Sequence, residues 1–364
     1  MAAELRLAFP VLERMAYLNA GSVGPMPRAA VDAAESELRG ALEQGRGGRA
    51  HFERLVTMGD ELRGRVARLF GCGSNEVALT GATTDGVNAV IGGLDLGPGD
   101  EVLTSDEEHP GLLAPLAAAR ARRGARLRIA PFAELPGEVR PETRLVACSH
   151  VSWQTGRVMD TAALAAAGAP LLLDGAQGLG AVPVDVGQLG CDYYAASGQK
   201  WLCGPIGSGY LYVRGARIAE LHPAAPGYQS LSDPVRALDL PLREGAARFD
   251  GGLPPAHHLA WALAALETLS ADGIDALLER GPMLAARLAD VLAARGLTVA
   301  PRGRSTLVSW EAADPEAESA RLLAAGFLVR HLPGTPYVRA SVGAWTSEEE
   351  LERLVAEAIA TAAS

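Results

Sequence analysis

The run Leu171-Leu172-Leu173-Asp174-Gly175-Ala176-Gln177 carries a short apolar stretch directly into a carboxylate. A buried parallel strand reads this way when it delivers a polar group to the carboxyl edge of an open α/β sheet, where such sheets build their sites. Downstream, Ser197-Gly198-Gln199-Lys200-Trp201-Leu202-Cys203-Gly204-Pro205 makes a polar turn ahead of a Gly-rich segment. Lys200 is the only lysine among 33 basic residues. Arg supplies charge and hydrogen bonds anywhere but keeps its proton, whereas a buried Lys becomes a neutral nucleophile. A composition that excludes Lys everywhere else singles out this position.

Working outward, short apolar or β-branched runs alternate with Ala- and Leu-rich helical stretches, which predicts a mostly parallel sheet covered by helices. The expected strands are Val77 to Thr80, Glu101 to Thr104, Arg126 to Ala130, Arg144 to Ser149, Pro170 to Asp174, Asp192 to Ala195 and Ser208 to Val213. Helical patterns cover Pro27 to Glu43 and Phe52 to Phe70, with Gly45 to Arg49 read as a loop between them. Residues 222–255, rich in Pro and Gly, mark a long connection. Helices Ala256 to Leu269 and Ile274 to Arg295 follow, then strand Ser305 to Trp310, helix Pro315 to Ala325, strands near Phe327 and Val338, and helix Ser347 to Ala360. The expected organisation is a lead-in at 1–15, a large α/β domain over 16–250 and a smaller α+β domain over 251–364.

With 364 residues, a net charge of −10 and 48% hydrophobic content, the chain has ample material for a core and a surface sign that disfavours nucleic acid. No apolar run reaches membrane-spanning length, and Glu4, Arg6, Glu13 and Arg14 break up the first twenty residues, so neither a leader nor an anchor is expected there. Cys72, Cys148, Cys191 and Cys203 are scattered without CxxC spacing and read as reduced thiols of a cytoplasmic protein. No nucleotide or zinc motif occurs, and no metal site is expected.

Asp174 suits a pyridinium nitrogen and Lys200 suits imine formation, the two groups that a pyridoxal 5'-phosphate site requires. A phosphate cradle is the third requirement. Thr80-Gly81-Ala82-Thr83-Thr84-Asp85-Gly86 stands between the Val77 strand and a helix expected over Gly86 to Leu94, where free N–H groups and the hydroxyls of Thr83 and Thr84 meet an anion. Taken alone, that stretch reads better as an ordinary helix cap.

These motifs resemble the class V aminotransferase family of fold-type I pyridoxal phosphate enzymes, which includes cysteine desulfurases, selenocysteine lyases, kynureninases and isopenicillin N epimerase. DGAQ followed by SGQK is the specific core of the resemblance, and YLNAGSVGPMP, TGATTDGVNAV, EEHPGLLAPL, SHVSWQTG, RFDGG and VRASVGAWTSEEE extend it over most of the chain. By that resemblance Lys200 is the Schiff-base lysine, Asp174 holds the ring nitrogen and Gln177 reaches the ring phenolate oxygen. Thr83, Thr84, Ser197 and Gln199 fall on phosphate-binding positions, His109 stacks on the ring, and Arg339 grips the substrate α-carboxylate. The implied catalytic set is Lys200, His109 and Asp174. Other readings of individual residues are a surface His109 and a solvated Arg339; Arg46 and Arg49 either meet a second substrate anion or stand solvated in their loop, and substrate contact by Arg330 and His331 is likewise left open. A homodimer acting on a small amino-acid substrate is also implied.

Departures from the family pattern shape the expected chemistry. Arg330-His331-Leu332-Pro333-Gly334 stands where sulfur-relaying desulfurases carry a persulfide-forming Cys, and no Cys follows Cys203. Trp153 replaces an Asn near the cofactor and reshapes the substrate pocket, while Leu253 replaces a Thr hydroxyl and leaves Gly251 and Gly252 as backbone donors. The resemblance is nearest to the C–S lyase and isopenicillin N epimerase-like branches. A true aminotransferase, an inactive binding or regulatory module and a scaffold subunit are the competing readings.

Overall fold

A computed structural model describes residues 2–362. The chain opens with helix α1 (Ala2–Leu7), strand β1 (Ala16–Tyr17) and helices α2 (Arg28–Gln44) and α3 (Arg49–Phe70). There follow β2 (Val77–Thr80), α4 (Thr83–Gly93), β3 (Glu101–Ser105), α5 (Pro110–Arg123), β4 (Arg126–Ala130) and β5 (Thr143–Ser149). Next come α6 (Thr161–Ala166), β6 (Leu171–Asp174), α7 (Val186–Leu189), β7 (Tyr193–Ser197) and β8 (Gly209–Val213). The seven strands β2 to β8 form one sheet in the order β2-β8-β7-β6-β5-β3-β4, in which β8 alone runs against the others. The seven strands expected from the sequence are these seven, with ends shifted by one or two residues.

Period-two alternation divides the strand side chains between two apolar layers. Leu171, Leu173, Tyr194 and Ala196 face one layer, with α3 and the later helix α8 (Ala256–Ser270) above them. Leu172, Tyr193, Ala195 and Leu211 face the other, which α4 and α5 cover. Both faces are dry, and so β6 reads as an uninterrupted apolar run. Each fully buried Leu contributes about 2 kcal/mol by leaving water, which sets the strand and, with it, the position of Asp174 at its end.

The connection 222–255 contains only short 3-10 turns and leaves Val235 and Leu238 almost fully exposed. Beyond α8 lie α9 (Ile274–Ala294), β9 (Leu307–Glu311), α10 (Pro315–Ala324), β10 (Phe327–Leu328), β11 (Arg330–His331), β12 (Tyr337–Ser341) and α11 (Glu348–Ala362). A second, antiparallel sheet runs β11-β12-β9, and β1 pairs in parallel with β10.

Three expectations need correction. Helix α4 begins at Thr83 rather than Gly86, because Ala82 is already extended and its carbonyl accepts from the Asp85 and Gly86 N–H groups. Gly86 lies inside the helix, where an added Cβ would stand 3.0 Å from the Ala195 side chain, so it serves close packing of α4 on β7. Arg49 opens α3 and pairs with Glu53 at 2.6 Å instead of closing a loop. The Gly251 N–H donates to the Leu79 carbonyl at 3.2 Å and is engaged within the chain.

Candidate active site

Strands β2, β3, β5, β6 and β7 all end at one edge of the large sheet, and each end delivers a side chain expected from the sequence. Thr83 and Thr84 follow β2, His109 follows β3, and Trp153 follows β5. Asp174 ends β6 with Gln177 in the next turn, and Ser197 ends β7 with Gln199 and Lys200 just beyond. Arg339 on β12 and Arg330 on β11 face them from the second sheet. All of these residues line one cavity of about 250 Å³. A hollow of the same volume between α1 and the α8–α9 junction gathers no such set.

Two opposite charges of the cavity are Asp174 and Lys200. Asp174 Oδ1 accepts from the Ala176 N–H at 2.9 Å. Burial pushes its carboxyl up, while that bond and the charge of Lys200 pull it back. Burial brings the Lys200 amine down to about 8; Asp174 opposes the change, and Arg339 and Arg330 reinforce it. The chain's only lysine is thus an amine that gives up its proton far more readily than an ordinary lysine, in one cavity with a buried acid.

His109 caps α5, and its Nδ1 accepts from the Gly111 N–H at 3.0 Å, which places the ring proton on Nε2. Burial and then the charges of Lys200, Arg330 and Arg339 push it down to about 4, so the ring is neutral. It meets the Trp153 ring edge-on, with centroids 5.1 Å apart at 86°. Gln177 is held by the protein at both ends of its amide: Nε2 donates to the Gly21 carbonyl at 2.8 Å, and Oε1 accepts from Trp201 Nε1 at 3.0 Å. One N–H of that amide is left for the cavity.

Around these groups, buried polar atoms stand without partners. They are Thr83 Oγ1, Ser197 Oγ, Gln199 Oε1, Trp153 Nε1, and Nε and Nη2 of Arg339. Arg339 is 0% exposed, and its Nη1 donates to the Trp153 carbonyl at 2.6 Å. Buried polar groups in native proteins are nearly always paired, so a cluster of orphans lining one cavity describes a ligand's own hydrogen-bonding pattern. Thr83 at the N-terminus of α4 and Ser197 at the end of β7 present unpartnered hydroxyls that can meet an anion. The Gln199 amide can turn either end inward. Arg339 keeps a planar pair of donors that matches a carboxylate.

The strand order also shows what the sequence did not. The N-terminal segment crosses the cavity mouth: Ser341 N donates to Leu18 O at 2.7 Å, and Gly24 N donates to Gln199 O at 2.8 Å. A Cβ at Gly21 would lie 2.7 Å from Ser341 Oγ and 2.9 Å from Arg339 Nη2, and one at Gly24 would lie 2.1 Å from the Lys200 carbonyl oxygen. Ser22 Oγ accepts from Arg330 Nη1 at 3.0 Å. Of the residues left open by sequence, Arg330 joins the cavity. His331 turns to Ser319 on α10 at 3.4 Å, and Arg46 and Arg49 stand exposed outside it.

The model of the family described as aminotransferase class-V matches residues 16–354. A cysteine desulfurase of Klebsiella pneumoniae (strain 342) is 32% identical over 298 residues, 76% of this chain and 73% of that protein. A solved structure of a lysine-to-alanine mutant of C-DES, with glycine covalently linked to its PLP cofactor, matches with TM-score 0.91 and 29% identity over 96% of this chain and 98% of that one. A second C-DES structure, the cystine C–S lyase in complex with its reaction product cysteine persulfide, matches with TM-score 0.90 and 29% identity over 96% and 98%. With that profile spanning nearly the whole chain and a relative of this identity, the chain belongs to the aminotransferase class-V family.

Proposed function

We propose that the chain is a pyridoxal 5'-phosphate-dependent C–S lyase that breaks the Cβ–S bond of a cysteine-derived amino acid and passes no sulfur through a cysteine of its own. The observation that carries this reading is the convergence of the only lysine, a buried acid and the orphaned donors of Thr83, Ser197 and Arg339 on one cavity. The site fits the cofactor in kind: an anion cradle at the α4 N-terminus, a carboxyl for the ring nitrogen and an amine for the aldehyde. The likeness to the cystine C–S lyase C-DES supports the reaction class.

When bound, pyridoxal 5'-phosphate supplies an electrophilic aldehyde and a protonated ring that takes up the electron pair left at the substrate Cα. Asp174 would keep the proton on the ring nitrogen, His109 would stack on the ring, and Gln177 would meet the ring phenolate oxygen with its remaining N–H. Arg339 receives the substrate α-carboxylate on Nε and Nη2, which orients the Cα–H bond. Lys200 Nζ removes that proton, and the sulfur leaves Cβ with its bonding pair. His109, with its basicity suppressed to about 4, is a poor second base, which favours elimination over a two-base epimerase. Arg330 and Ser22 bound the distal part of the substrate.

The absence of a relay rests on position. Cys203 is the last cysteine, and β11 and β12 are joined by the short turn 332–336 rather than a long loop. The thiols of Cys148, Cys191 and Cys203 are buried, and Cys72 is half-buried with its thiol pushed up to about 12 by burial. None of the four lines the cavity. A homodimer belongs to the same proposal, and the exposed Val235, Leu238 and Tyr228 on the connection, with Leu42 on α2, are the apolar surface offered to a second copy.

The test is direct. Protein loaded with pyridoxal 5'-phosphate is expected to show a visible band that borohydride bleaches and that Lys200→Ala abolishes. Cystine or an S-substituted cysteine is expected to yield pyruvate. A colourless protein, or solvent-deuterium exchange at Cα without pyruvate from any sulfur amino acid, would overturn the reading.

A further inference from the structure

Asp106-Glu107-Glu108, after β3, looks in sequence like a solvated acidic run. The structure divides it. Glu107 accepts from Arg157 Nη1 at 3.0 Å and from Thr155 Oγ1 at 2.6 Å, tying the loop to the turn that carries Trp153. Glu108 turns inward and is 3% exposed. Ser149 donates to it twice, N to Oε1 at 3.0 Å and Oγ to Oε2 at 2.5 Å, and the Ser105 hydroxyl donates to Oε1 as well. Among the described residues no guanidinium or ammonium forms an ion pair with it. Ser149 is the ladder partner of Asp174, and His109 is the next residue along the chain.

A buried carboxylate without a counter-ion is expensive, and an apolar side chain would hold a loop here at lower cost. Three hydrogen bonds from the ends of two strands make this one a built feature. We propose that Glu108 is a positioning residue of the active site, which fixes the loop bearing His109 and places negative charge behind Asp174, so that a cation on the cavity side of Asp174 keeps its proton. The inference rests on the cofactor reading above. Burial lifts the Glu108 carboxyl to about 7 against the pull of its hydrogen bonds, and Asp174 adds to the rise. The titratable groups acting on it are Asp174 from β6 and the Cys148 thiol from β5; Ser105 and Ser149 are polar but do not titrate. Two carboxylates in one dry region oppose each other's ionisation, and a ring cation at Asp174 relieves both.

Glu108→Gln keeps the shape, and its amide still meets Ser149 N and Oγ, but the charge is gone. In the cofactor-loaded protein it is expected to keep wild-type stoichiometry while the pH midpoint of the visible absorption change falls by about 0.5–1 unit. Affinity for pyridoxal 5'-phosphate above about pH 8, where the carboxylate is ionised in wild type, is expected to fall about 3–10-fold, the same shift expressed as an equilibrium. Glu108→Asp is expected to restore the midpoint toward wild type. Should the Gln variant fail to fold, Ser149→Ala is the substitute: it removes one hydrogen bond to the carboxylate and is expected to shift the midpoint the same way by less. A wild-type protein that takes up no cofactor overturns both readings. Visible colour in wild type with an unmoved midpoint and affinity in Glu108→Gln overturns this one alone.

Discussion

On the proposed function Arg339 carries opposite demands of stability and substrate binding, and replacing it separates them. The guanidinium is fully buried with one bond, to the Trp153 carbonyl, and with Nε and Nη2 unpartnered. An unsatisfied buried donor costs about 1–3 kcal/mol, and a made hydrogen bond to a charged group contributes about 1.5–3 kcal/mol. In Arg339→Met, a change of similar volume, two penalties vanish and one bond is lost. The protein without substrate is therefore expected to gain about 1–2 kcal/mol, read as a higher urea midpoint with an unchanged slope. On the proposed reading the same change removes a two-pronged, charge-assisted grip on the substrate carboxylate worth about 3–5 kcal/mol, so kcat/KM for pyruvate release is expected to fall about 10²–10⁴-fold. A Met variant that is less stable than wild type, or whose kcat/KM stays within about threefold of it, would show that Arg339 is satisfied structurally and does not await a carboxylate.

Lys200 governs the pH response. Its amine titrates at about 8 in the fold against an ordinary 10.5, so the unfolded chain binds more protons between those values and the stability of the cofactor-free protein rises with pH across that window. Subtracting a Lys200→Met profile from that of wild type isolates this slope, and a flat difference refutes it. Gly21→Ala places a methyl within 3 Å of Ser341 Oγ and Arg339 Nη2. It is expected to raise KM at least about tenfold while the visible spectrum of the loaded protein stays at wild type; a spectral change with an unaltered KM would place Gly21 against the cofactor instead.

Much of the site was legible in sequence because strand ends announce themselves. Leu171 to Asp174 reads as buried on both faces up to a polar stop, and the stop lines the cavity. Lys200 was legible by exclusion, since nothing else in the chain is a lysine. What escaped has physical causes. The start of α4 was misplaced because Gly86 resembles a helix boundary until the close approach of β7 explains it. Glu108 was invisible because its neighbours Asp106 and Glu107 are also acidic, and only tertiary folding turns one of three inward. Gly21 and Gly24 sit far from the lysine in sequence, and no local pattern announces a long-range crossing.

That crossing has a consequence for anyone recombining this chain with its relatives. The mouth of the cavity is stitched from the first two dozen residues and from the hairpin near the end, with Leu18 laced to Ser341 and Gly24 to Gln199. A chimera that exchanges the C-terminal third alone sets a foreign hairpin against the native N-terminal segment beside Lys200. Inherited specificity travels with both pieces or with neither. The variation that retunes this entrance belongs at Ser22 and Arg330, because positions 21 and 24 have room only for backbone.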